Sequence, residues 1–481
     1  SPGVTSEFVR TYNSMSNEEG SFGVGWDFNI DVSKIVIPAV GYYQVVLPDG
    51  SNTTFKDNGN GEFECLNTHS TMTKSGQEYT ITNAAQSQYH FNADGQLDWV
   101  KDAEGNILTI SSMSNNQRIV TDSTGRTYTI TYNGNSEHSR ITKIEDTTAE
   151  RIVTYEYNRD FQLISATSVS GGIETYEYDG NGRLCKVKNC YNEVTDTISY
   201  NDNGSVNYLI NASGLKQVYT YDSVFQQTGL QEFDDETLIN TYQYSYDQKY
   251  AVKANTVENN GHTYEVSKIT YTMIDGENKY DEMSNSTDIM GNTTTYERDD
   301  NGNVIKTTNA DGTYTLANYN EKNSIIANVD EMGYATIYAY DSNGTRLLKQ
   351  ASSLNPLSQS DINTVISSNF NPITYLETNE SSYAIISYEY YPDSYVSGVA
   401  GLIHVATDPE GNVTEYDYYK NGIGKGLIKS KSLKCNNLIA YVIEYEYNEQ
   451  LQISKEIASY DISKDLYSVK EYEYDKFNNI I

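Results

Sequence analysis

At 481 residues the chain could form roughly two to four ordinary domains, but only 37% of it is hydrophobic and 45 of its residues are tyrosine. Dry aliphatic side chains are therefore too few for a thick globular core. With 66 acidic against 33 basic residues the formal charge is −33, which repels a phosphate backbone and excludes nucleic acid as a partner, and no apolar run of 18 residues offers a membrane span.

In chain order, residues 1–85 read as an opening β segment. It contains the glycine-aromatic turn Ser21-Phe22-Gly23-Val24-Gly25-Trp26-Asp27-Phe28-Asn29, followed by strands such as Tyr42 to Leu47 and Tyr79 to Thr82. The start at Ser1-Pro2-Gly3 lacks the charged and apolar regions of a signal peptide and reads as cut from a longer protein. Residues 86–350 carry a tandem repeat: an alternating Tyr-x-Tyr strand, then Asp or Asn, then a glycine turn, then a second short strand. Tyr157, Tyr178, Tyr200 and Tyr221 mark successive copies at steps of 21, 22 and 21, with Asp179 and Asp222 next in line and Gly182 in the turn. Arg298-Asp299, Tyr319-Asn320 and Tyr340-Asp341, the last followed by Gly344, continue at steps of 21. Between 351 and 385 the period fails. That stretch reads as an irregular insert with one or two helical turns, for which Ser360 and Asp361 are N-cap candidates. Copies resume over 386–481, and Ile481 stops within one.

The repeat has a local cause. In Tyr176-Glu177-Tyr178-Asp179-Gly180-Asn181-Gly182-Arg183-Leu184 the two tyrosines share one strand face, and the residues after them favour positive φ, which makes a hairpin. One hairpin is marginal in water, so neighbours must pair edge to edge into a continuous antiparallel sheet, which twists and coils. The predicted fold is all-β, and the shortage of aliphatics suggests a sheet wrapped round a wet interior. The acidity keeps so edge-rich a surface soluble.

Catalytic and ligand-binding motifs are not found. Cys65, Cys185, Cys190 and Cys435 have no zinc-like spacing, and the odd separation of Cys185 and Cys190 places them on opposite faces of a straight strand. His69, His90, His138, His262 and His404 form no triad or HExxH arrangement. Asp57-Asn58-Gly59-Asn60-Gly61 and Asp299-Asp300-Asn301-Gly302-Asn303 lack EF-hand spacing and read as turns. The expectation is a chain that is not an enzyme and takes no cofactor or metal.

These repeats resemble the Rhs/YD-repeat family, which includes Rhs polymorphic toxins, shell subunits of bacterial toxin complexes, Gram-positive wall-associated proteins and the animal teneurins. The resemblance covers nearly the whole chain. Besides the Tyr-Asp repeats, Arg10-Thr11-Tyr12-Asn13-Ser14 followed by Phe22-Gly23-Val24-Gly25-Trp26 looks like the family's shell-opening signature, carried here by Arg10, Tyr12, Phe22, Gly23, Gly25 and Trp26. It implies a spiralling sheet that forms part or all of a hollow β-cocoon, secreted or displayed on a bacterial cell surface, whose partner is an enclosed polypeptide from the same or an associated chain. A second reading is a surface adhesin whose repeat face binds a glycan or a protein receptor. Toxin members close the shell with a DPxG motif followed by an apolar residue. Asp408-Pro409-Glu410-Gly411-Asn412 has asparagine in that place and reads as an ordinary turn, so the effector and its releasing protease lie outside these residues or do not exist.

Overall fold

A computed structural model describes residues 7–48, 50–59, 61–134, 139–223, 227–247, 252–259, 262–271, 283–288, 290–396, 398–436, 438–461, 466–475 and 479–481, with the side chains of 32, 244–283, 460 and 461 outside the description. The protein is all-β apart from short helices. From Thr71–Ser75 to Leu466–Glu471 the strands follow one another as a single antiparallel sheet, each paired with its sequence neighbours. Ahead of it lie a separate four-stranded meander over residues 35–65 and two small two-stranded ladders, Arg10–Tyr12 with Trp26–Phe28 and Glu19–Gly20 with Gly23–Val24.

The repeat turns share one hydrogen-bond pattern, with glycine at the left-handed position in most and Phe161, Asn192, Asn323 or Leu451 there in others. Asp179 Oδ1 accepts the amides of Asn181 and Arg183, both at 2.9 Å, while Gly182 N donates to Asp179 O at 3.0 Å and sits at φ +80°. The carboxylate thus satisfies loop amides that no strand can reach, and glycine takes the left-handed position at no steric cost. Asp408 to Asn412 is one more turn of this kind, with Asn412 N on Asp408 Oδ1 at 2.8 Å and Gly411 at φ +82°.

A register shift precedes the last tyrosine of most Tyr-x-Tyr strands, Tyr246 being an exception. Glu177 pairs with Lys186 but Tyr178 pairs with Leu184, leaving Cys185 as the extra residue, and the same shift recurs at Tyr157, Tyr200, Tyr221, Tyr319, Tyr340, Tyr390, Tyr418 and Tyr447. A bulge increases local twist, so a bulge recurring in most repeats bends the sheet in one sense. The sheet consequently winds back on itself. The rim carrying the Tyr-Asp turns of the later repeats meets the opposite rim of the earlier ones: Asn323 Nδ2 donates to Ala84 O (2.7 Å), Arg126 Nη2 to Ile423 O (2.9 Å), Lys425 Nζ to Thr124 O (2.5 Å) and Arg151 Nη1 to Gln450 O (3.4 Å). These partners are 239 to 301 residues apart, which is the length of one coil.

The two faces differ. Tyr128, Tyr155 and Tyr176 lie on one face and all contact the opening segment, through Phe8, Phe22 and Trp26 respectively. A short segment that reaches three strands so far apart along the sheet marks that face as concave. The other face carries cross-strand ion pairs such as Lys306 with Glu297 (2.7 Å) and Lys434 with Glu415 (2.5 Å).

The insert holds more helix than the sequence suggested: Gln359–Val365 and Pro372–Asn379, capped by Ser358 and Asn371 rather than by Ser360 or Asp361. They pack on the ion-pair face over Ala327, Ala335, Ile337, Ala339 and Ala351, whose small side chains let a helix approach, and Asn318 Nδ2 donates to the carbonyls of Val365 and Ser367 at 2.9 Å.

Candidate shell-forming site

The repeat tyrosines do more than pack. Tyr178 Oη donates to Leu163 O (2.8 Å), and Leu163 is the residue paired with the preceding repeat's Tyr157. Tyr157 reaches back to Ile141 O (2.6 Å), Tyr319 to Val304 O (3.2 Å), Tyr418 to Ile403 O (2.9 Å), Tyr447 to Ile428 O (2.9 Å) and Tyr474 to Ile453 O (2.7 Å), while Tyr200 reaches Leu184 O. Each hydroxyl therefore satisfies a carbonyl beside the bulge of the repeat before it, where the ladder is interrupted. The relay crosses the insert unbroken, since Tyr390 donates to Leu347 O at 2.7 Å. Tyr221 and Tyr340 hold the same register position, opposite Gln227 and Leu347. Replacing Tyr418 by phenylalanine should leave one carbonyl without its donor and cost about 1 kcal/mol in urea unfolding; a midpoint equal to that of the parent protein would show that water serves the carbonyl as well.

Burial raises the hydroxyls of Tyr157, Tyr178, Tyr200, Tyr319, Tyr390, Tyr418 and Tyr447, to about 12 at Tyr178 and Tyr418, so they remain donors at neutral pH. An unfolded tyrosine ionises near 10. Between those values the unfolded chain releases protons that the folded chain retains, so stability is complete below about pH 10 and falls as the pH rises towards 12. On the order of 1 kcal/mol per buried tyrosine is at stake after allowance for partial exposure. In an alkaline titration, tyrosinate absorbance should rise together with loss of β circular dichroism; ionisation completed while the sheet persists would contradict this account.

The opening signature docks on the same relay. Trp26, 5% exposed, donates from Nε1 to Tyr178 Oη at 3.1 Å and packs edge-on against Tyr176 and Tyr12. Tyr12 Oη accepts the amide of Leu184 (3.0 Å), and Arg10 reaches Glu174 (2.9 Å) and Tyr176 Oη (2.5 Å). Phe22 sits edge-on against Tyr155 and Phe28. Gly25, at φ +77°, would place a Cβ 2.9 Å from Asn13 O, and Gly23, at φ +121°, one 3.2 Å from Phe161 O. The structure thus brings Arg10, Tyr12, Phe22, Gly23, Gly25 and Trp26 together with the repeats around Tyr157, Tyr178, Asp179, Gly182 and Tyr200. Tyr221, Asp222, Tyr319, Tyr340, Asp341 and Gly344 lie further along the sheet.

Several members of the site carry no sequence signal. Arg140, 1% exposed, pairs with Glu19, and Asp31 joins Arg118 (2.6 Å) and Tyr132 (3.3 Å). At the coil seam Asp146, 4% exposed, pairs with Arg151 (2.8 Å) and Arg126 (3.8 Å), the two arginines that reach across to Gln450 and Ile423. Among the described residues the four cysteines are unbridged, no group of three or more His, Cys, Asp or Glu is placed to hold a metal ion, and no helix is long and apolar enough to cross a membrane. His90 lies beside Asp98 (2.6 Å) and stacks on Trp99, and His404 packs on Tyr391, while His138 and the side chain of His262 lie outside the described residues.

Residues 71–279 match the family described as Teneurin YD-shell, and residues 283–314 match the RHS repeat. A comparison with curated proteins finds no match. Among solved structures, 92% of the chain aligns with the crystal structures of TcdB2-TccC3-Cdc42 (11% identity, TM-score 0.41) and TcdB2-TccC3 (10%, 0.41), and with the Photorhabdus luminescens Tc holotoxin pore (11%, 0.40). The alignment spans 23% of each of those chains, less than a quarter of their length.

Proposed function

We propose that this chain, whose residues 71–279 match the Teneurin YD-shell family and 283–314 the RHS repeat, is a member of the Rhs/YD-repeat family and that its coiled sheet is a wall segment of a secreted, bacterial, non-catalytic container that encloses a polypeptide and helps deliver it. The observation that carries this reading is the coil seam. A sheet whose later repeats are bonded rim to rim onto repeats 239 to 301 residues earlier surrounds space instead of lying flat. A concave face lined by hydroxyl-bearing tyrosines, with ion pairs on the other face, suits contents that must be held without being bound tightly. The test is projection imaging of the longest natural protein that contains this chain, combined with trypsin digestion. A stain-excluding shell around a central density, with an inner polypeptide that resists trypsin until the wall is denatured, is the expected result; a solid rod with no protected polypeptide overturns the reading.

A further inference from the structure

A cavity of about 900 Å³ lies between the opening segment, the meander and the first strands of the sheet. Its apolar lining includes Phe8, Ile30, Leu97, Val100, Leu108 and Ile110, drawn from both the opening segment and the wall. Asn13, Gln44 and Asn52 add amide groups that can serve as both donors and acceptors. The charge is one-sided: Glu7, Glu18 and Asp27 line the cavity against the single cation Lys34, which lies 3.8 Å from Glu18.

We propose that this cavity is a binding site for a short extended peptide segment that carries apolar side chains and a lysine or arginine. Pockets of this size take drug-sized or short peptide ligands, with an apolar lining for affinity and a few polar groups for orientation. The apolar residues accept the hydrophobic side chains, and the amides meet the segment's backbone. Asp27 supplies the cation's partner: no described residue forms an ion pair or hydrogen bond with its carboxylate, and burial followed by the Glu18 charge raises its pKa against a smaller lowering by the Lys34 charge. An arriving ammonium or guanidinium offsets the Glu18 repulsion and pairs with the carboxylate. An alkylamine would satisfy the charge and the apolar lining but leave the amides unused, which favours a peptide. The site is independent of what the coiled sheet encloses.

The experiment is calorimetric titration of the full chain with an acetylated, amidated seven-residue peptide of alternating leucine and lysine. The same peptide with glutamate for lysine, and dodecylammonium, serve as comparison probes. Saturable 1:1 binding of the lysine peptide is expected, with at least tenfold weaker binding of the glutamate peptide. Asp27→Asn should weaken the lysine peptide about tenfold, and Val36→Trp, at a partly exposed lining position, should abolish binding. Each variant is first shown by circular dichroism to keep its β structure, and Gln44→Ala replaces any that does not, with weaker binding expected. No binding of the lysine peptide, equal binding of both peptides, binding unchanged by the substitutions, or tighter binding of dodecylammonium overturns the proposal.

Discussion

Trp26→Ala is expected to cost about 3–5 kcal/mol and to free the opening segment from the sheet. The indole is 5% exposed and surrounded by aromatic rings, so removing it leaves a void among groups that cannot collapse onto alanine. It also removes the donor to Tyr178 Oη, although Tyr178 keeps its bond to Leu163 O, so the damage should stay on the concave side. Limited trypsin digestion should cut rapidly at Arg10 in the variant and slowly in the parent protein, while Trp99, the other tryptophan, reports on the sheet by fluorescence. Trp26→Phe, which keeps the ring contacts and loses the N–H, should fall between the two. Equal rates of cleavage at Arg10 in all three proteins would show that the signature does not hold the segment down.

Asp146→Ala is expected to open the seam. Its buried carboxylate lies between Arg126 and Arg151 and also accepts the amides of Thr148 and Ala149 at 3.1 Å. Removing one partner of a buried ionic cluster leaves uncompensated charge and costs about 3–5 kcal/mol. The arginines then have no fixed orientation from which to reach Ile423 and Gln450. Hydrogen exchange should accelerate in the turns over 419–427 and 448–452, while the strands Ile173–Tyr178 and Leu184–Lys188, held by their own ladder, keep their protection. Unchanged exchange in those turns would mean that Lys425 on Thr124 and Asn323 on Ala84 suffice to hold the coils together.

How far the sequence discloses this architecture depends on distance along the chain. The turns are legible because aspartate, its two acceptor bonds and the glycine at positive φ lie within five residues, as from Asp179 to Arg183. The pairing of neighbouring strands follows from the same hairpins. The tyrosine relay is not legible, because the acceptor of Tyr390 lies 43 residues upstream across an insert, and the bulge that leaves a carbonyl such as that of Leu347 beside the interrupted ladder has no residue signature. The seam is further from view, since Arg126 meets a carbonyl 297 residues away that any residue could supply. In the opening segment the family signature picks out Trp26 and Gly25 but is silent on Asp31 and Glu19, whose partners Arg118 and Arg140 belong to the wall. The displaced helix cap shows ordinary ambiguity: Ser358, Ser360 and Asp361 are all good capping residues, and the backbone geometry selects the first.

Because every strand of the long sheet is bonded to its immediate predecessor and each relay tyrosine reaches back a single repeat, the sheet can be completed in the order in which it is synthesised. The opening segment emerges before the strands that will cover it, and each new hairpin finds a finished edge waiting. Contacts so local favour rapid, stepwise growth. The same ordering governs dismantling: traction on the last strand should meet the seam early, at Gln450, Lys425 and Ile423, and beyond it break one ladder and one tyrosine bond at a time, giving a few high-force events followed by a long low-force sawtooth in a single-molecule trace.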